Sequence, residues 1–204
     1  MQAANRGAMG TNLDLCLDFT DTVDWRTSDH AKDTLDSYAA LLQWSGKKGL
    51  LDQKQINALG RAAGREGFAP VLAEAVRLRE AIYRIFSAIA HKSRAPLKDL
   101  QTLNEYLAKS LSRMVVKETG EGYEWGLSCD TVPEMMLYQI AESAAMLLTS
   151  EDLLRVRECA NEEEGCGSLF LDCSKSQTRR WCSMGSCGNR AKSRAFYDRH
   201  LRAT

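Results

Sequence analysis

No run of about eighteen apolar residues occurs in the chain, so no segment reads as a membrane-spanning helix. The opening segment, Met1 to Asn12, is polar, carries Gly7 and Gly10, and lacks an apolar signal-peptide core. It could be native or an expression remnant and is set aside from fold reasoning, and the expected location is the cytoplasm. The short motifs of catalysis are missing as well. There is no glycine-rich phosphate loop, no nucleophile elbow and no His-Glu-x-x-His run, and the histidines number three, His30, His91 and His200. No catalytic activity is expected. Internal repeats and low-complexity segments are also absent, so no repeat architecture is expected.

What is present is 204 residues with 44 % apolar content, enough for one medium-sized domain and a small appendage. The formal net charge of zero conceals an asymmetry. Eight of the 27 basic residues fall within 174–204 (Lys175, Arg179, Arg180, Arg190, Lys192, Arg194, Arg199 and Arg202), where Asp198 is the one acid. A basic end on an acidic body is the electrostatic footprint of a nucleic-acid-binding module, although a solvated basic tail would give the same count.

Leu13, Leu15, Leu17 and Phe19 alternate with Asp14, Cys16 and Asp18, which predicts a half-buried strand with Asp14, Asp18, Asp21 and Asp24 on its solvent side. A helix is expected from Asp33 through Leu35, Tyr38, Leu41, Leu42 and Trp44, stopping near Gly46 and Gly49, and a second from a capping Asp52 to Gly64. The longest starts after Pro70 and presents Leu72, Val76, Arg79, Ile82, Tyr83, Ile85, Phe86 and Ile89. Pro96 opens a further helix with leucines at 97, 100, 103, 107 and 111. Met114–Lys117 and Tyr123–Leu127 flank Gly120 and Gly122 as a hairpin, and Pro133 begins an apolar helix through Met136, Ile140, Ala144 and Leu147. Ser150 is placed to cap a short helix, Glu151 to Arg157. The body is therefore α+β and mainly helical.

Of seven cysteines, Cys16 and Cys129 are scattered as small buried hydrophobes usually are. Cys159, Cys166, Cys182 and Cys187 instead form two short-spaced pairs, Cys159-x6-Cys166 and Cys182-x4-Cys187. Two such pairs supply four thiolates to a tetrahedral structural zinc. Between them, Leu169–Leu171 and Arg180–Trp181 read as short strands about a turn from Asp172 to Gln177, and a helix follows Cys187 through Ala191, Arg194 and Tyr197. That order is the layout of a treble-clef finger, with Trp181 and Phe196 in its core. Cys173 is the rival ligand; it lies in the turn, and the site is complete without it.

The run Arg180-Trp181-Cys182-Ser183-Met184-Gly185-Ser186-Cys187-Gly188-Asn189-Arg190-Ala191-Lys192 resembles the CGNR zinc finger, and Cys166-Gly167, Leu169-Phe170-Leu171-Asp172 and Ser174 fit it. Upstream, Leu17-Asp18-Phe19, Thr22, Trp25-Arg26 and Ala144 to Arg157 resemble the ABATE domain that accompanies this finger in stress-induced transcription regulators of bacteria. The resemblance implies an ABATE-like domain over 11–154 and a treble-clef-like finger over 155–204. Two departures stand out. The six residues between Cys159 and Cys166 exceed the family's short knuckle, and Asp21 stands where Asn is expected.

The expected ligand set is one zinc on Cys159, Cys166, Cys182 and Cys187. The expected partner is duplex DNA, met by Arg179, Arg180, Arg190, Lys192, Arg194, Arg199 and Arg202, with Arg194, Arg199 and Arg202 the stronger contacts. Against this, Arg180 and Arg190 could serve only to balance the zinc–thiolate charge, and the finger could dock an acidic protein instead. A sensing or dimerising body, taking a small-molecule effector or a second copy, completes the expectation. Trp25, Tyr38, Trp44 and Tyr83 are read as core before pocket.

Overall fold

The computed structural model describes residues 12–64, 68–128 and 131–201; Cys129, Arg202 and the opening segment lie outside the described residues. Its axis is the longest helix, which carries Pro70 in the first turn, where a missing N–H costs nothing. We number the helices in chain order: α1 (Leu15–Thr20), α2 (Tyr38–Lys47), α3 (Gln53–Ala63), α4 (Ala69–Ala90), α5 (Leu97–Leu111), α6 (Met135–Leu148) and α7 (Asn189–Leu201). Central α4 buries Ala75, Leu78, Ala81, Ile82, Ile85 and Phe86 at helical spacing against α1, α5 and α6. Pro96 precedes α5, Asp52 closes a capping box at the start of α3, and α6 is buried over most of its surface.

The predicted strand at Leu13–Phe19 is instead helix α1. Cys16, the supposed polar-side residue, is as buried as the leucines around it, and the two half-buried carboxylates Asp14 and Asp18 are four apart, the helical period. Contact with α4, α6 and a strand of the finger wraps so much of α1 that period two and period 3.6 cannot be told apart over six residues. The next helix starts at Tyr38, not Asp33, because the Ser37 hydroxyl accepts the Ala40 N–H at 3.1 Å. Asp33 lies in β2 (Lys32–Asp33), paired with β1 (Val23–Asp24), and receives the buried Arg79 guanidinium at 2.6 Å. Arg79 is thus a paired charge inside an apolar stripe, held also by Glu80 and the Thr22 hydroxyl.

Strands β3 (Met114–Thr119) and β4 (Gly122–Leu127) form the expected hairpin. The helix expected at Glu151–Arg157 shrinks to a single tight turn over Glu151–Arg155, since the Ser150 hydroxyl bonds back to the Leu147 carbonyl and caps nothing. From Val156 the chain is extended as β5 (Val156–Glu158), antiparallel to β6 (Leu169–Leu171). Leu169–Leu171 therefore pairs upstream and not with Arg180–Trp181, which is not a strand.

The β5–β6 ribbon separates two cores by the alternation of its side chains. Val156, Leu169 and Leu171 join the body core beside α1 and α4, whereas Phe170 packs with Cys159, Cys166 and Cys187. Glu158, on the body side, accepts hydrogen bonds from Tyr83 at 3.1 Å and Ser87 at 2.7 Å on α4. The packing thus runs across the junction between residues 154 and 155.

Candidate metal centre

Cys159 follows β5, Cys166 ends the knuckle, Cys182 follows the 172–181 loop, and Cys187 sits in a wide turn over Met184–Gly188 that runs into α7. Their four Sγ atoms lie within 4.8 Å of one another, with three of the separations at 3.5–3.7 Å. Four sulfurs at about 2.3 Å from a tetrahedral zinc would stand about 3.8 Å apart, so the donor set and its spacing fit one structural zinc. The Cys159 thiol is driven well down by hydrogen bonds from the Cys166 and Cys182 thiols and the Cys182 backbone N–H, burial opposing them. Those donors favour the thiolate at Cys159, the form in which cysteine binds a metal. Exposed Cys173 stands outside the cluster. Asp172 holds the loop beyond it by accepting from Ser174 N, Ser174 Oγ and Arg179 N at 2.6–3.0 Å.

The knuckle is fixed to the body by backbone. Arg26 N donates to Cys166 O at 3.2 Å and Thr27 N to Gly165 O at 3.0 Å. Gly165 and Gly167 have φ of +67° and +64°, and a Cβ on Gly165 would fall 2.6 Å from the Ser28 nitrogen. Arg26 spans the same junction: it pairs with Glu80 at 2.6 Å, donates to the Thr20 carbonyl and lies 4.2 Å over the Tyr83 ring. Asp21, the residue expected to be Asn, accepts the Leu169 N–H at 3.2 Å, and burial pushes its carboxyl up to about 7.

The seven expected nucleic-acid residues divide. Arg179 belongs to the finger, donating to the Trp181 and Cys182 carbonyls with its guanidinium 4.5 Å over Phe170. Arg180 is exposed and lies 5.2 Å over the Trp181 ring. Arg190 lies 4.4 Å over the Trp25 ring and pairs with Glu164 at 3.2 Å, so it turns to the knuckle and not to the thiolates. Arg194 pairs with both Glu163 and Glu164. Lys192 and Arg199 are exposed, and Arg202 lies outside the described residues. Trp181 packs on the cysteine cluster as expected, but Phe196 does not; it is 51 % exposed, and the cleft that α7 forms with the knuckle is lined by Arg194, Ala195 and Asp198 instead.

Four residues that matter here carry no signal in the ligand pattern: Trp25, Glu163, Glu164 and Gly165. The six-residue knuckle was the available clue, since it is long enough to hold the Glu162–Glu164 turn. Of the four aromatic residues considered for a pocket, Tyr38 is buried, Trp44 packs on Phe19 at 5.2 Å, Tyr83 serves the junction, and Trp25 receives Arg190.

Among the described residues no helix is long and apolar enough to cross a membrane. The family model ABATE, described as "putative stress-induced transcription regulator", matches residues 13–151, and that of the CGNR zinc finger matches residues 155–200. No curated protein matches the chain.

Proposed function

Because the chain belongs to the ABATE family and ends in a CGNR zinc finger, we propose that it regulates transcription by binding duplex DNA through that finger. The observation that carries this reading is the exposed cations of α7 and the segment before it, set beside a zinc centre. Phosphates are the natural counter-charge for such a surface. The zinc is structural in this reading and takes no part in catalysis, since four protein thiolates leave no open position for a reactive water. The helical body would sense a stress signal, through a small-molecule effector or by pairing with a second copy, in the cytoplasm.

One observation favours protein docking as the second reading: Arg190 and Arg194 already hold carboxylates, so this helix accepts acidic side chains. Fluorescence anisotropy of a labelled random duplex separates the two. The DNA reading expects binding at low ionic strength, loss on chelation and recovery on adding zinc back. No binding to any duplex in low salt would leave docking to an acidic protein.

A further inference from the structure

Helix α7 has two cationic faces, and the structure uses one of them internally. Arg190 and Arg194, four residues apart, point along one side. Their guanidinium groups meet Glu163 and Glu164 of the knuckle, and Arg190 also stacks on Trp25 of the body. Lys192 and Arg199 are seven apart, about two full turns, so they share a face roughly 160–200° around the helix from the Arg190–Arg194 side. Among the described residues neither has an acidic partner, and Phe196, 51 % exposed, lies between them. Arg180 and Lys192 line one cleft together with Arg194, Glu162, Glu163 and Asp198; the carboxylate of Glu163 goes to Arg194, and Arg180 is a third cation without a carboxylate partner among the described residues.

We propose that the surface offered to duplex DNA is the Lys192–Phe196–Arg199 face with Arg180, and that the Arg190–Arg194 face instead anchors α7 to the acidic knuckle. This rests on the DNA-binding reading and assigns its contacts. The anchoring carboxylates come from the Glu162–Glu164 turn of the knuckle, so that turn is what fixes the helix orientation. Each anchored arginine already has its charge compensated. A phosphate arriving there would have to displace a carboxylate and so release little counterion, whereas one arriving at Lys192 or Arg199 releases its full share. Lys192 and Arg199 are about 10 Å apart along the axis, far enough to meet separate phosphates while α7 lies in a major groove wide enough to admit a helix. Phe196 between them offers an apolar edge for a thymine methyl group.

The test compares the full-length zinc-loaded protein with two variants, on a short random duplex and on heparin, with zinc content measured for each. Lys192→Ala/Arg199→Ala should flatten the log–log salt slope on duplex by about two units, because each lost phosphate contact removes about 0.9. The charge-neutral variant Glu163→Gln/Glu164→Gln/Arg190→Ala/Arg194→Ala removes the whole anchor, and with zinc retained should keep the wild-type slope within about half a unit. A flattening of about two units in the neutral variant, with none in Lys192→Ala/Arg199→Ala, would overturn the assignment. If the neutral variant loses zinc, the double variant decides alone: a flattened slope supports the face and an unchanged one refutes it. Wild-type retention on heparin without duplex binding would refute the DNA reading instead. Elution of the double variant from heparin at lower salt would still support the face as an anion surface, and unchanged elution would refute it.

Discussion

A strand of three residues whose neighbours serve different cores should give different phenotypes at adjacent positions. Leu169 is 1 % exposed in the body core; Phe170, 8 % exposed, packs on the cysteine cluster with Trp181. Leu169→Ala removes a buried side chain next to α1 and α4, a change that costs about 3 kcal/mol when the cavity cannot collapse. For a chain of this size that lowers the thermal midpoint by roughly 6–12 °C. Phe170→Ala, at about 3–5 kcal/mol, falls on the finger, where metal binding and folding are one equilibrium. It should weaken zinc retention against a chromophoric chelator by roughly a hundredfold or more and move the body's transition little. The assay is thermal denaturation by circular dichroism alongside chelator competition. If Phe170→Ala lowers the main transition as far as Leu169→Ala does while zinc affinity stays unchanged, the two-core account of the ribbon is wrong.

Cys182→Ser or Cys187→Ser should release the zinc and unfold the finger, whereas Cys173→Ser should keep one zinc per chain by native mass spectrometry; the opposite pattern would make Cys173 a ligand. Gly165→Ala forces a Cβ to within 2.6 Å of the Ser28 nitrogen at positive φ, while at Gly49, φ +73°, nothing lies within 4 Å. Urea titration should therefore show Gly49→Ala costing about 1–2 kcal/mol and Gly165→Ala clearly more; equal costs would mean the knuckle is not docked on the body. Asp21 is an acid whose folded pKa is raised to about 7 from 3.8, so its contribution to stability falls as pH rises through that window. Asp21→Asn keeps an acceptor for the Leu169 N–H and should stabilise the protein on the order of 4 kcal/mol at pH 8 but little at pH 4. A gain independent of pH would exclude this cause.

How far the sequence carried the structure depended on whether a residue's role was local. Helices α3, α4 and α5 were legible because Asp52, Pro70 and Pro96 act on their own first turns, and the four ligands were legible because thiolate pairs at close spacing have few other uses. Helix α1 was misread because six residues buried on several sides erase the difference between the two periods. The partner of Leu169–Leu171 was misassigned because strand pairing is not a local property, and Val156–Glu158 was hidden inside a segment with a helix-like charge order. The splitting of the α7 cations was out of reach for the same reason: Arg190, Arg194 and Lys192 look alike in sequence, and only Glu163, Glu164 and Trp25, distant along the chain, tell them apart.

The central claim, that a zinc-ordered finger presents a cationic helix face to duplex DNA, is tested most directly by the salt dependence of wild-type binding to a random duplex. Three unpaired cations, Arg180, Lys192 and Arg199, predict a slope of log Kobs against log salt of about −3, steeper if Arg202 also contacts phosphate, and its abolition when the zinc is chelated. Binding that ignores salt, or that survives chelation with its slope intact, would contradict the claim.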